Sequence, residues 1–149
     1  MFYYVNFEIS GKCNANFEYC VSGKKSISGS FQQKNSSFID LERFKSAINY
    51  MLKNELIGTD STVGLYNWGE PFLHPKFKEI LSFLNMKGVN YALSTNASKL
   101  IEFENFDLKN LKKITFSMPG FSQESYDLIH GFKFERIKSN IKKMLINYR

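Results

Sequence analysis

Apolar residues along the chain switch between a strand-like and a helix-like spacing. Phe2 to Ile9 is a β-branched and aromatic stretch, which predicts a first strand. Ser22 to Phe38 is punctuated by Ser, Gly, Lys and Gln and reads as a loop. Asp40 is placed to cap a helix whose apolar face is Leu41, Phe44, Ile48 and Leu52, running to about Glu55. Thr62 to Asn67 predicts a second strand, ending in Trp68-Gly69-Glu70-Pro71. Pro75 suits the first turn of a second helix, with Phe77, Ile80, Leu81 and Leu84 on its apolar face and Gly88 as its stop. Asn90 to Ser94 and Lys113 to Met118 predict a third and a fourth strand, the latter followed by a Pro119-Gly120 break. Ser122 can cap a short helix through Ile129, and Ile137, Ile141, Met144 and Leu145 define a last helix to the chain end.

A strand–helix order repeated about four times implies an α/β fold, a parallel sheet with right-handed crossovers. In barrel and open α/β folds, chemistry sits in the loops after the C-terminal ends of the strands. Those places hold Gly11-Lys12-Cys13 onward to Cys20, then Gly69-Glu70-Pro71, then Ser94-Thr95-Asn96, then Ser117 with Met118-Pro119-Gly120. The polar and sulfur-bearing candidates therefore share one rim. The chain has no internal repeat, no low-complexity tract and no Gly-rich phosphate loop of the dinucleotide kind.

Composition narrows the class further. The 149 residues are 43% hydrophobic and 16% aromatic, which suits one globular domain with a real core. The net charge of +6 would suit an acidic partner, but the lysines are spread along the chain and mostly fall on helix faces. A solvated surface is the better reading, for the Lys24-Lys25 pair as well, and nucleic acid is not the expected partner. Met1 to Ser10 carries no secretory signal pattern, and no apolar run reaches the roughly 18 residues of a membrane span. With only Cys13 and Cys20 the chain is no disulfide scaffold, so a reducing cytoplasm is the expected compartment.

The segment Cys13-Asn14-Ala15-Asn16-Phe17-Glu18-Tyr19-Cys20 lies after the first strand. It resembles the cluster loop of radical S-adenosylmethionine (SAM) enzymes, which carry three cysteines there with an aromatic before the third. Cys13 matches the first position, Cys20 the third and Tyr19 the aromatic, while Phe17 stands at the middle position. The resemblance extends over nearly the whole chain. Val63 to Pro75 is similar to the family's Gly-Glu-Pro region, Tyr91 to Ala97 to its next strand end, and Phe116 to Gly131 to the strand and helix after that. These stretches are most similar to the branch that often carries a SPASM-type auxiliary-cluster extension.

The resemblance implies a partial parallel (βα) barrel and two cofactors, a 4Fe-4S cluster and SAM. The family's activity is reductive cleavage of SAM to a 5′-deoxyadenosyl radical, which abstracts hydrogen from a substrate; in the resembling branch that substrate is often a peptide. Carried over by position, Cys13 and Cys20 would be metal ligands and Tyr19 would lie near the adenine. Gly69, Glu70 and Pro71 would receive the methionyl ammonium, and Ser94, Asn96 and Ser117 the ribose and carboxylate. No residue of the chain is assigned as a catalytic group, and His74 and His130 read as loop or helix-end residues without a metal.

Two departures qualify this. A phenyl ring cannot ligate iron, so Phe17 leaves two protein thiolates and the activity is expected to be impaired. The family barrel usually has six units, so residues 1–149 are expected to form the front part of the core domain, with an open fourth-strand edge that invites self-association. The alternatives are a degenerate, non-catalytic domain that keeps a SAM pocket, and a basic nucleic-acid-binding module resting on net charge alone.

Overall fold

The computed structural model describes residues 1–15, 20, 37–129 and 131–146. Phe17, Tyr19, His130, Lys24 and Lys25 lie outside the described residues, as does most of the predicted loop from Ser22.

Four strands form one sheet in the order of the chain: β1 (Tyr4–Asn6), β2 (Thr62–Gly64), β3 (Asn90–Thr95) and β4 (Leu111–Phe116). All three pairings are parallel. The connections carry α1 (Leu41–Lys53), α2 (Phe77–Met86) and α3 (Asn105–Leu108), and α4 (Gln123–Ile129) and α5 (Phe134–Ile146) follow β4. The predicted α/β architecture of four βα units is present. Among the described residues, no helix is long and apolar enough to cross a membrane.

The core lies between one face of the sheet and the helices. Val63, Leu65, Tyr91 and Leu93 meet Phe44 and Ile48 of α1 and Ile80, Leu81 and Leu84 of α2 in one buried cluster. Ile137 and Met144 of α5 join it, whereas Leu145, expected on the apolar face, is 39% exposed.

Several predicted boundaries shift for local reasons. The first strand is shorter than Phe2 to Ile9 because its end leaves the sheet: Ser10 makes an antiparallel bridge with Phe38, and Ile39 N donates to the Ile9 carbonyl. The second strand stops at Gly64, with Leu65 N still donating to the Ala92 carbonyl. The fourth begins at Leu111, which pairs with Tyr91 across a bulge, and ends at Phe116 ahead of the Pro119-Gly120 break. Helix α1 ends at Lys53 because Glu55 turns left-handed (φ 54°) and Leu56 N folds back onto the Met51 carbonyl. Helix α2 starts at Phe77, with Pro75 just ahead of it rather than in its first turn. Helix α3 has no apolar period of its own; its signature is the reciprocal capping of Glu104 and Asp107.

Candidate functional site

The loops after β1 and β2 are locked together by backbone contacts. Gly69 packs so closely on the strand-one loop that a methyl there would collide with the Ser10 carbonyl. Glu70 N donates to the Lys12 carbonyl at 2.7 Å. Glu8 adds a carboxylate whose Oε1 accepts from Trp68 N and Gly69 N, both at 2.7 Å. A glycine is needed at 69 because two backbones meet there.

Glu70 then ties the β2 loop to the end of β3. It is 3% exposed. Its Oε1 accepts from Phe72 N at 3.1 Å and from Thr95 Oγ1 at 2.7 Å, and its Oε2 accepts from Asn96 N at 2.8 Å. Burial pushes the Glu70 carboxyl above its ordinary value, and the bonds from Asn96, Thr95 and Phe72 pull the other way. A carboxylate has about four acceptor sites, so one is left beyond these donors.

Asn96 extends the network to the cysteine loop. Its Nδ2 donates to Asn14 Oδ1 at 3.0 Å and lies 4.0 Å from Cys13 Sγ. Asn14 Nδ2 donates to Ser98 Oγ at 2.8 Å. The turn after β3 places Ala97 left-handed (φ 56°), and Asn140 of α5 holds it by donating to the Ala97 carbonyl at 2.9 Å. His74 braces the other side: its Nε2 donates to the Ile39 carbonyl at 2.9 Å while Nδ1 accepts from Lys76 N at 3.0 Å. It is buried at the C-terminal end of the short 3₁₀ turn Pro71–Leu73, in keeping with a loop or helix-end residue.

These loops enclose a cavity of about 150 Å³ at the C-terminal ends of the strands. Cys13 and Cys20 enter from the first loop, residues 66–70 from the second, residues 94–96 from the third and Ser117 from the fourth. The described candidates Cys13, Cys20, Gly69, Glu70, Ser94, Asn96 and Ser117 therefore share one cavity. Pro71 is buried at the start of a short 3₁₀ turn and is not part of the lining. Thr95, placed on the rim by the sequence, lines it too; Tyr66, Asn67 and Trp68 also line it and carried no sequence-derived role, nor did Glu8 behind them. Alternation along the second strand from Gly64 was the available signal for Tyr66.

Cys13 and Cys20 are free and half-buried, and burial pushes the Cys13 thiol up, against the pull of the Ala15 amide. Among the described residues no group of three Cys, His, Asp or Glu side chains is placed to hold a metal. Two thiols of this kind do not fit a four-iron cluster, which takes a thiolate on each protein-ligated iron.

No family model matches the chain. An uncharacterized protein of Methanocaldococcus jannaschii is 30% identical over 139 residues, which is 91% of this chain and 41% of that protein. Two solved structures are similar in shape. BtrN, determined in complex with AdoMet and 2-DOIA, gives a TM-score of 0.55 at 12% identity, over 77% of this chain and 57% of BtrN. TYW1, with a lysine-pyruvate adduct bound, gives 0.59 at 18% identity, over 95% of this chain and 50% of TYW1. Both are radical SAM enzymes. The chain shares its fold with these two structures. It spans about half the length of these two relatives and less than half of the archaeal one. Within that fold the β1 loop carrying Cys13 and Cys20 and the β2 loop carrying Gly69 and Glu70 line the cavity after the ends of the strands.

Proposed function

We propose that residues 1–149 are the front part of a radical SAM core domain, that the cavity at the strand ends binds SAM, and that reductive cleavage is impaired by Phe17. The observation that carries this reading is the convergence of seven sequence-derived candidates on one cavity, drawn from the loops after all four strands. In this reading the Glu70 carboxylate braces the site and uses its remaining acceptor site, with neighbouring backbone, for the methionyl ammonium. Ser94, Asn96 and Ser117 offer hydroxyl and amide groups to the ribose and carboxylate. Cys13 and Cys20 descend from cluster ligands, and two thiols are too few for the reaction that the fold family performs.

The test is iron and sulfide content with a visible spectrum after anaerobic reconstitution, beside SAM titration by calorimetry. The natural chain is expected to hold well below a full complement, and Phe17→Cys about four irons per protomer. Four irons on the natural chain would overturn the impairment. Absence of SAM heat in both proteins would overturn the binding site.

A further inference from the structure

The two faces of the sheet are chemically unlike. The register places Asn6, Gly64, Ala92 and Lys113 in one row and Ser94 with Thr115 in the next. Of these only Ala92 is a buried apolar side chain, whereas the main core cluster takes the alternate residues Val63, Tyr91 and Leu93, with Ile114 packed against it. Parallel sheets ordinarily have both faces covered, and parallel barrels fill their interior with bulky branched side chains. This face instead carries small and polar residues, which cannot pack into a dry core. A Cβ on Gly64 would meet the Tyr4 hydroxyl and Asn6 Oδ1, so those side chains lean across the space a larger residue would fill. The Tyr4 and Tyr66 hydroxyls bond at 2.9 Å, and Tyr66 also lines the cavity above. The polar face is therefore the floor beneath the cavity.

Charge on this floor is sparse. Strand alternation puts Glu8 and Lys113 on it, and Glu8 is already taken by the Trp68 and Gly69 amides. The bulge opposite Tyr91 and Ala92 passes over Lys112 and sets Lys113 beside Ala92. Lys113 is exposed and forms no ion pair among the described residues. The next row, Ser94 with Thr115, is ~6.6 Å further along the strands, a distance a lysine side chain spans. Its ammonium can thus stand just under the cavity, among uncharged hydroxyls.

We propose that Lys113 is a specificity residue, and that the floor accepts a small molecule carrying one carboxylate among hydroxyl or amide groups. The proposal rests on reading the cavity above as the SAM site, since only then does the floor face the reacting end. One ammonium is a point charge suited to a single carboxylate, and among the described strand residues of this face Lys113 is the cation present. Apolar molecules would strand the Tyr4–Tyr66 pair, and cations would meet Lys113.

Gluconate and its uncharged counterpart sorbitol are the probes, titrated by ligand-detected NMR against the natural chain, Lys113→Gln and Lys113→Arg. The natural chain should bind gluconate and not sorbitol. Lys113→Gln should bind gluconate at least about tenfold more weakly, and Lys113→Arg should retain binding, since a bond to a charged group is worth that much. Equal binding of gluconate and sorbitol, or unchanged gluconate affinity in Lys113→Gln, overturns the proposal and leaves Lys113 as a charge protecting the sheet edge. Circular dichroism of both variants guards against misfolding. SAM titration of the natural chain is separate: if SAM binds and gluconate does not depend on Lys113, the specificity proposal fails alone, whereas absent SAM binding fails the site above it.

Discussion

Burial and hydrogen bonding pull Glu70 in opposite directions, and burial wins, so its carboxyl sits above the ordinary 4.5. A raised carboxyl contributes stability that is full below the unfolded value and is lost as pH rises through the folded one. Glu70→Gln cannot titrate, and where the protonated acid still accepts through both oxygens, its amide nitrogen accepts nothing and would set a donor against the N–H of Phe72 or Asn96. The natural chain should therefore exceed Glu70→Gln by about 1–3 kcal/mol near pH 4. The gap should narrow above pH 4.5, by no more than about 1.4 kcal/mol per pH unit for one proton. Urea unfolding of both proteins across pH 4 to 8 checks this; a gap that widened with pH would mean the hydrogen bonds outweigh burial.

At the level of the element, α1 shows what a cap contributes. Asp40 Oδ1 accepts from Glu42 N and Arg43 N, both at 3.0 Å, satisfying two of the amides a helix start leaves unpaired. Phe44 and Ile48 then fall on the buried face by helical spacing. Asp40→Ala should lower stability by about 1 kcal/mol while leaving Phe44 and Ile48 buried. Chemical denaturation gives the difference, and unchanged near-ultraviolet dichroism would show that packing is kept. The cap was legible from residue type and position alone. Helix α3 was not, because its four residues carry no apolar period and its reciprocal cap stands out only once the chain is folded.

At the scale of the molecule, one core cluster runs from Ile9 beside β1 to Met144 in α5, and the cavity draws on the loops after every strand. The described residues should therefore unfold in a single cooperative transition. SAM at a hundred times its Kd should move that whole transition, adding about 2.7 kcal/mol. Denaturant melts followed by tryptophan fluorescence, which reports Trp68 at the cavity, and by far-ultraviolet dichroism should coincide with and without SAM. A ligand-induced shift confined to the fluorescence would show that the rim is uncoupled from the sheet.

Hydrophobic period, turn residues and caps act over a few positions, so the strand–helix order, the parallel sheet and the rim on which Cys13, Gly69, Glu70, Ser94, Asn96 and Ser117 meet were legible along the chain. Strand lengths were overestimated at the start of the chain because pairing depends on a partner: Ile9 and Ser10 suit a strand, but the segment at Phe38 and Ile39 draws them out of the sheet. How Glu70 is engaged depends on folding, since its donors come from Phe72, Thr95 and Asn96, and the latter two lie at and just past the end of β3. The same holds for Lys113. Its place on the polar floor depends on a single bulge opposite Tyr91 and Ala92, and a one-residue change of register turns a side chain to the other face.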